Sequence, residues 1–330
     1  MTKPNLQPIV FSSPEEIISF LDNKKRYVTL IDPVVARHFG SYFPSPFITV
    51  ELAEKDKIFK EVERVASLLL EMEADRETTL VIAGGGVLSD LGAFTASVYM
   101  RGIPFILVPT TLLAMVDASI GGKNGVNLGV HKNILGSFSN ARQIIISPQF
   151  LATLPQVEYL NGVAELLKTF IIADRESYFK VLPIVNNVKS IAPYIRRAAS
   201  IKASIVERDW LDKGERRLLN LGHTFAHAME LAENISHGLA VAKGIVLAAK
   251  LSVKLSLLCR EEYQAVEEGL KSAGLDISVP VPVESLTNII CSDKKRNGDI
   301  INFVLIKRVG ETVVHPIHIS DLKDILHDLS

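Results

Sequence analysis

Cysteine is almost missing from this sequence: Cys259 and Cys291 are the only 2 in 330 residues. They lie far apart and outside any C-x-x-C pair, which excludes a disulfide framework and a cysteine-ligated zinc site. Net charge is nearly absent too, with 36 Lys and Arg against 37 Asp and Glu for a formal −1. Without a global positive field there is little to hold nucleic acid or an anionic membrane, so a small-molecule substrate is expected. Long apolar runs are also scarce. The most apolar stretch, IPFILVPTTLLAMV (103–116), is broken by Pro104 and Pro109 and is too short to span a bilayer. The first residues lack a basic start followed by an uninterrupted apolar run, so no secretory signal is expected and a cytoplasmic location is.

What is present suits a globular chain with a substantial core, 48% hydrophobic and 22% charged, and a length that favours two domains. RYVTLID (26–32), TLVIAGGG (79–86), PFILVPTT (104–111) and QIIISP (143–148) are short apolar runs rich in Val, Ile and Leu, expected as buried strands. KIFKEVERVASLLLEME, between the first two, has apolar residues at helical spacing. Strands alternating with helices predict an α/β fold with a mainly parallel sheet. After Pro148 helical periodicity dominates, until INFVLIKRVGETVVHPI predicts a late hairpin with its turn at V-G-E. The expected division is therefore an α/β domain over 1–148 and a mainly helical domain over 149–330.

Two segments of the first half offer ligand chemistry. In VIAGGGVLSDLGAF, Gly84, Gly85 and Gly86 follow a strand and precede a helix. Glycine there allows positive φ and close approach to a phosphate, beside the unpaired N–H groups of a helix start. The spacing is not the G-x-G-x-x-G dinucleotide fingerprint. VDASIGGKNGVNLGVHKN (116–133) joins Asp117, Lys123, Asn127, Lys132 and Asn133 with glycines. It is expected as a flexible polar connection suited to an anionic or hydroxylated ligand.

Histidine chemistry concentrates in NLGHTFAHAMELAENISHG (220–238), which holds His223, His227 and His237. His223 and His227 stand four apart in a helical pattern, so they share a face and can converge on one cation. A third ligand is available from His237 or from a carboxylate elsewhere, three protein ligands being the usual set of a catalytic zinc site. Glu165 in GVAELLK is a candidate, because an unpaired carboxylate in so apolar a run would be costly to bury. Lys168 shares its face. Arg216, Asn220, His223 and His227 follow the i, i+4, i+7, i+11 pattern of one helix face, a stripe suited to an anionic ligand beside a metal.

GGGVLSDLGAFTASVYMRG, PTTLLAMVDASIGGKNGVN, HKNILGSF, NGVAELLK, GERRLLNLGHTFAHA, HGLAVAKG and DKKRNG resemble, in this order, the signature blocks of 3-dehydroquinate synthase, a sugar phosphate cyclase family. The resemblance runs from about residue 54 to residue 310. It implies conversion of 3-deoxy-D-arabino-heptulosonate 7-phosphate to 3-dehydroquinate and phosphate in the shikimate pathway. NAD oxidises a ring hydroxyl transiently, phosphate is eliminated, NADH restores the alcohol, and an intramolecular aldol step closes the ring. The implied cofactors are NAD and one divalent metal, zinc or cobalt.

Carried over by position, the resemblance makes Glu165, His223 and His237 the metal ligands and gives His227 a proton-handling role near the leaving phosphate. Lys202, Arg216 and Asn220 fall near the substrate carboxylate and ring, and Asp117 and Lys123 at its hydroxyls. Asn133, Lys168, Lys294 and Lys295 fall near the phosphate. Arg101 matches a phosphate contact supplied by a neighbouring subunit, which implies a homodimer. Asp32, Glu54, Lys57, Gly84, Gly85, Gly86, Asp90, Thr110, Thr111 and Lys132 match NAD-binding positions. The chain departs from the family at Leu239, where HGEAV is usual, at Ser89, and at His131. Its competitors are another sugar phosphate cyclase, against which Arg216 and Asn220 favour the synthase, and a metal-dependent polyol dehydrogenase that releases NADH, against which Lys123, Lys202, Arg216 and the DKK segment do.

Overall fold

The computed structural model describes residues 7–129, 131–233, 235–279, 283–292 and 299–326. The strands are β1 (Ile9–Val10), β2 (Tyr27–Ile31), β3 (Phe47–Thr49), β4 (Thr79–Gly84), β5 (Phe105–Pro109), β6 (Lys123–Leu128), β7 (His131–Phe138), β8 (Gln143–Ile146), β9 (Ile300–Arg308) and β10 (Glu311–His318). The helices are α1 (Glu15–Phe20), α2 (Pro33–Phe39), α3 (Phe59–Glu71), α4 (Gly86–Val98), α5 (Gln156–Ala173), α6 (Arg175–Val181), α7 (Ala192–Arg208), α8 (His223–Glu233), α9 (His237–Lys254), α10 (Arg260–Ser272), α11 (Val283–Ser292) and α12 (Ile319–Leu326). They group into two compact units, one of residues 1–159 with 195–207, the other of 160–194 with 208–330. The units therefore interleave in sequence: most of α7, placed by position in the later half, packs with the first unit.

The first unit carries a six-stranded sheet in the order β1-β8-β5-β4-β2-β3, parallel at every pairing. All four strands expected from the sequence are in it. β4 and β5 are buried along their whole length, as strands covered on both faces must be, and this is why they spell continuous apolar runs instead of alternating ones. The very short β1 and β3 close its two edges.

The segment expected as a flexible connection is instead an antiparallel hairpin of β6 and β7. Its two glycines explain how so polar a stretch folds. A Cβ on Gly125 would lie 2.8 Å from the Leu135 carbonyl oxygen, and one on Gly136 would lie 2.7 Å from that of Asn124. Bare backbones approach one another where side chains would not fit. Val126 and Asn127 of β6 are buried.

The second unit is mainly helical, with the expected late hairpin of β9 and β10. Its turn places Gly310 at φ 89°, a conformation that favours glycine, and the Gly310 N–H donates to the Ile171 carbonyl at 2.8 Å. α5 and α9 form its core; Val163, Ala164, Leu166 and Leu167 of α5 and Ala240, Val241 and Ala242 of α9 are all fully buried.

Candidate active site

In the first unit, the carboxyl ends of three neighbouring strands gather the candidate nucleotide-binding residues. β2 leads into Asp32, β4 ends at Gly84, and β5 ends at Pro109, followed by Thr110 and Thr111. The Asp32 N–H donates to Ala83 and the Thr110 N–H to Gly84, so the three chain ends are tied together at 3.0 and 2.9 Å. None of Gly84, Gly85 and Gly86 takes a positive φ, contrary to the expectation for this turn. Their value is bare backbone: a Cβ on Gly84 would meet Leu88 Cδ2 at 2.6 Å, and one on Gly85 would meet Thr111 Cγ2 at 3.1 Å. Gly85 caps α4, a helix of 13 residues, leaving its first N–H groups at this edge. That fits the phosphates of a dinucleotide. Asp32 also caps α2, accepting from the Val34 and Val35 N–H groups at 2.8 and 3.2 Å.

A polar cluster flanks the turn. Lys57, nearly buried, donates to Asp90 Oδ2 at 3.0 Å and lies 3.5 Å from Glu54 Oε1. Glu54 accepts from Asn127 Nδ2 at 3.0 Å, and the Asn127 Oδ1 accepts the Asn133 N–H at 2.9 Å. Burial pushes the Asp90 carboxyl up to about 6, against the pull of Lys57. A cavity of about 340 Å³ is lined by Asp90, Lys123, Asn124, Asn133, Ser137 and Phe138. Lys123 and Lys132 are exposed on the hairpin. Asn133 adopts φ 54°, which sets it off from the regular strand. Asn127 entered the sequence reading only as a polar neighbour; its bridging position depends on the hairpin register.

Asp117 lies in a π-helical turn, Ala114–Ala118. Lys202 of α7 donates to both its carbonyl, at 2.7 Å, and its Oδ1, at 2.6 Å. The two candidates thus meet in one unit despite 85 residues between them. Arg101 is exposed, just after Met100, and both residues have positive φ, 70° and 49°.

The second unit holds the histidines. The proposed helix face from Arg216 to His227 is not continuous. Residues Glu215–Asn220 form a 3-10 turn, Gly222 takes φ 78°, and α8 begins at His223. The break is needed for packing, since a Cβ on Gly222 would fall 2.8 Å from the Ile245 nitrogen of α9. Arg216 is buried, its Nη1 donating to the Trp210 carbonyl at 2.8 Å, whereas Asn220 is exposed. Asp209 shapes the loop before it, accepting the N–H groups of Lys213, Gly214 and Arg216.

Glu165, His223 and His237 come together. Their potential ligand atoms all lie within 4.8 Å of one another, which no other trio of His, Cys, Asp or Glu achieves among the described residues. Glu165 is 0% exposed, with Lys168 Nζ at 2.5 Å from Oε2, His237 Nε2 at 3.1 Å and His223 Nε2 at 3.8 Å from Oε1. Burial disfavours its charge, but Lys168 and the hydrogen bond from His237 outweigh that and hold the carboxyl well below its ordinary range. The Glu165–Lys168 pair of α5 is therefore internal.

Both imidazoles have one nitrogen engaged away from the cluster. His223 Nδ1 lies 3.2 Å from the Leu221 carbonyl, which only accepts, so Nδ1 carries the hydrogen and Nε2 has its lone pair free. Burial first, then Lys168, drives the His223 pKa down to about 3, so the ring is neutral at physiological pH. His237 Nδ1 lies 2.7 Å from Glu230 Oε1. Burial lowers its affinity for a proton, yet hydrogen bonds to Glu165 and Glu230 prevail and raise its pKa to about 9. One carboxylate and two imidazole Nε2 atoms facing one point fit a divalent metal of the zinc or cobalt type.

His227 is exposed one turn beyond His223, their ring centroids 5.7 Å apart, and is not part of this trio. Of the two third-ligand options open from spacing, both His237 and a carboxylate are present and the i+4 histidine is the one left out. Lys294 and Lys295 lie outside the described residues. Sequence reading missed Glu230, although its place on the same helix as His223 was a signal. It also missed the contacts that seat His237. A Cβ on Gly238 would lie 2.3 Å from Asn161 Cα, and Ser236 Oγ donates to Asn161 Oδ1 at 2.7 Å.

Models of the 3-dehydroquinate synthase N-terminal and C-terminal regions match residues 47–161 and 162–296. The 3-dehydroquinate synthase of Campylobacter concisus (strain 13826) is 39% identical over 288 residues, 86% of this chain and 82% of the relative. Among solved structures, 2-epi-5-epi-valiolone synthase from Streptomyces hygroscopicus subsp. jinggangensis 5008, with NAD+ and Zn2+ bound, aligns with a TM-score of 0.89 at 24% identity, covering 100% of this chain and 98% of that one. 2-Deoxy-scyllo-inosose synthase complexed with carbaglucose-6-phosphate, NAD+ and Co2+ gives 0.85 at 24% identity, with 97% and 96% covered.

Proposed function

The chain belongs to the 3-dehydroquinate synthase family, and on that premise we propose how its residues divide the work of converting 3-deoxy-D-arabino-heptulosonate 7-phosphate to 3-dehydroquinate and phosphate. The enzyme is a carbon–oxygen lyase that uses NAD and a divalent metal. When bound, NAD would supply a reversible hydride acceptor and the metal would supply Lewis-acid charge beside the hydroxyl being oxidised.

Gly84, Gly85, Gly86, Thr110 and Thr111 hold the NAD phosphates at the carboxyl edge of β4 and β5. Asp32, Glu54, Lys57, Asp90 and Lys132 complete the NAD site. Glu165, His223 and His237 hold the metal. Arg216 binds the substrate carboxylate, because its planar fork matches that geometry. Asn220 and Lys202 position the ring, while Asp117 and Lys123 take its hydroxyls. Lys202 Nζ pairs with Asp117 Oδ1 at 2.6 Å, which fixes the direction of that side chain. Asn133, Lys168, Lys294 and Lys295 carry the phosphate, and His227 moves a proton at the leaving group. Arg101 of one subunit reaches the phosphate of another in a cytoplasmic homodimer; its exposure supports that role. Among the described residues no helix is long and apolar enough to cross a membrane.

The observation that carries this reading is the convergence of Glu165, His223 and His237 in a core that would otherwise exclude a carboxylate. Phosphate release and NADH absorbance, followed together with the heptulosonate phosphate, NAD and zinc or cobalt, test it. Phosphate without net NADH, with 3-dehydroquinate as product, is expected. Accumulating NADH without phosphate would replace the lyase with a polyol dehydrogenase.

A further inference from the structure

A metal-ligating histidine is only as good as its orientation, and the two imidazoles here are oriented by different means. His223 leans on the Leu221 carbonyl, part of its own chain turn. His237 is the first residue of α9, where a side chain has the least support from its own helix. Its Nδ1 meets Glu230 Oε1 at 2.7 Å, from the last part of α8. The Glu230 side chain is 9% exposed and that of His237 37%, so the carboxylate end of the bond is the sheltered one. Position 239, where the family's usual glutamate is replaced by Leu239, contributes no carboxylate to this ring; the one that reaches it comes from the preceding helix.

We propose that Glu230 is a positioning residue for the metal centre, fixing His237 in the tautomer and ring orientation that presents Nε2 toward Glu165. A carboxylate can only accept, so a hydrogen stays on Nδ1 and Nε2 is the nitrogen left to offer a lone pair to a metal. The bond also ties the end of α8 to the start of α9, so that the His223 and His237 ligands ride on two helices clamped at one corner. The charge on Glu230 makes Nε2 a stronger donor as well. This inference rests on His237 being a ligand, and its test separates the two.

The test measures zinc and cobalt affinity by chelator competition on the metal-stripped full chain, with the visible spectrum of the cobalt form as a second readout. Glu230→Ala is expected to bind metal about 10–100-fold more weakly and to shift the cobalt bands. Glu230→Gln keeps an acceptor for the Nδ1 hydrogen and is expected to fall between Ala and the native chain. It carries the test alone if the Ala variant does not fold. His237→Ala is the control, expected to lose the metal. Wild-type affinity and spectrum in the Glu230 variants, with metal lost in His237→Ala, overturns the role of Glu230. A Gln variant no better than a folded Ala variant also overturns it, since orientation would then not be what the residue supplies. Retention of metal in His237→Ala overturns the ligand assignment beneath it.

Discussion

Replacing Gly238 with alanine should damage the metal centre without touching any ligand. The added Cβ would lie 2.3 Å from Asn161 Cα, 2.4 Å from its carbonyl oxygen and 2.7 Å from its carbonyl carbon. All three are backbone atoms of α5, so no side chain can turn aside, and α9 must move away by about 1 Å to restore van der Waals contact. Glu165 lies one turn further along α5 from Asn161, and His237 directly precedes Gly238. The displacement therefore falls on the 3.1 Å approach of His237 Nε2 to Glu165 Oε1. Ligand distances tolerate only about 0.2 Å before a metal site weakens. Overpacking of this kind costs about 1–3 kcal/mol, so thermal unfolding of the metal-free protein should drop by a few degrees. Metal affinity should fall by at least about tenfold, the scale of disturbed support around a ligand. Gly40→Ala serves as the control, because a Cβ there meets only Phe47 Cε2 at 3.5 Å, an ordinary contact. Calorimetric titration with zinc and a thermal melt of both variants decide the matter. Native affinity and stability in Gly238→Ala would refute the claim that helix contact sets the ligand spacing.

Other consequences are open to direct measurement. His223→Ala should abolish turnover with loss of metal; stoichiometric metal by atomic absorption together with full activity would remove His223 from the ligand set. Saturating zinc should raise the melting temperature of the native chain, by about 2.7 kcal/mol of added stability at a hundredfold excess over Kd, and leave that of His223→Ala unmoved. Asp90 has a pKa raised to about 6 by burial, so its folded form holds a proton more tightly than its unfolded form. Its contribution is complete below about pH 4 and is lost as pH rises through 6, at most about 3 kcal/mol. Asp90→Asn should therefore gain stability relative to the native chain as pH rises from 4.5 to 8 in thermal melts, and a gap that does not change with pH would contradict this. Arg216→Lys should raise KM for the heptulosonate phosphate about tenfold, as a point charge replaces a fork, with metal content unchanged.

Local patterns in the chain determined a good deal. Buried parallel strands announce themselves as unbroken apolar runs, and those at 26–32, 79–86, 104–111 and 143–148 are where the sheet is. Glycines at the end of β4, the V-G-E turn, and the concentration of histidine between 220 and 238 were all legible, because each is chemistry confined to one turn or one strand. The family blocks also singled out Glu165, His223 and His237 as the proposed ligands. Tertiary structure decided what depends on residues distant in sequence. Helical spacing alone favoured His227 as the partner of His223, yet Glu165, 72 residues before His237, joins His237 in the cluster because α5, α8 and α9 pack around it. The stripe from Arg216 to His227 is broken at Gly222 since that backbone must pass against α9, and hydrophobic period carries no information about a neighbour's backbone. The polar segment after Asp117 became a hairpin for a related reason: Gly125 and Gly136 are permissive alone and specific only when facing a second strand. Likewise a glutamate at 230 reads as a solvated helix residue until the next helix brings His237 to 2.7 Å from it. Periodicity records which face of an element is buried; which atoms meet there is set by the packing of elements that the sequence keeps apart.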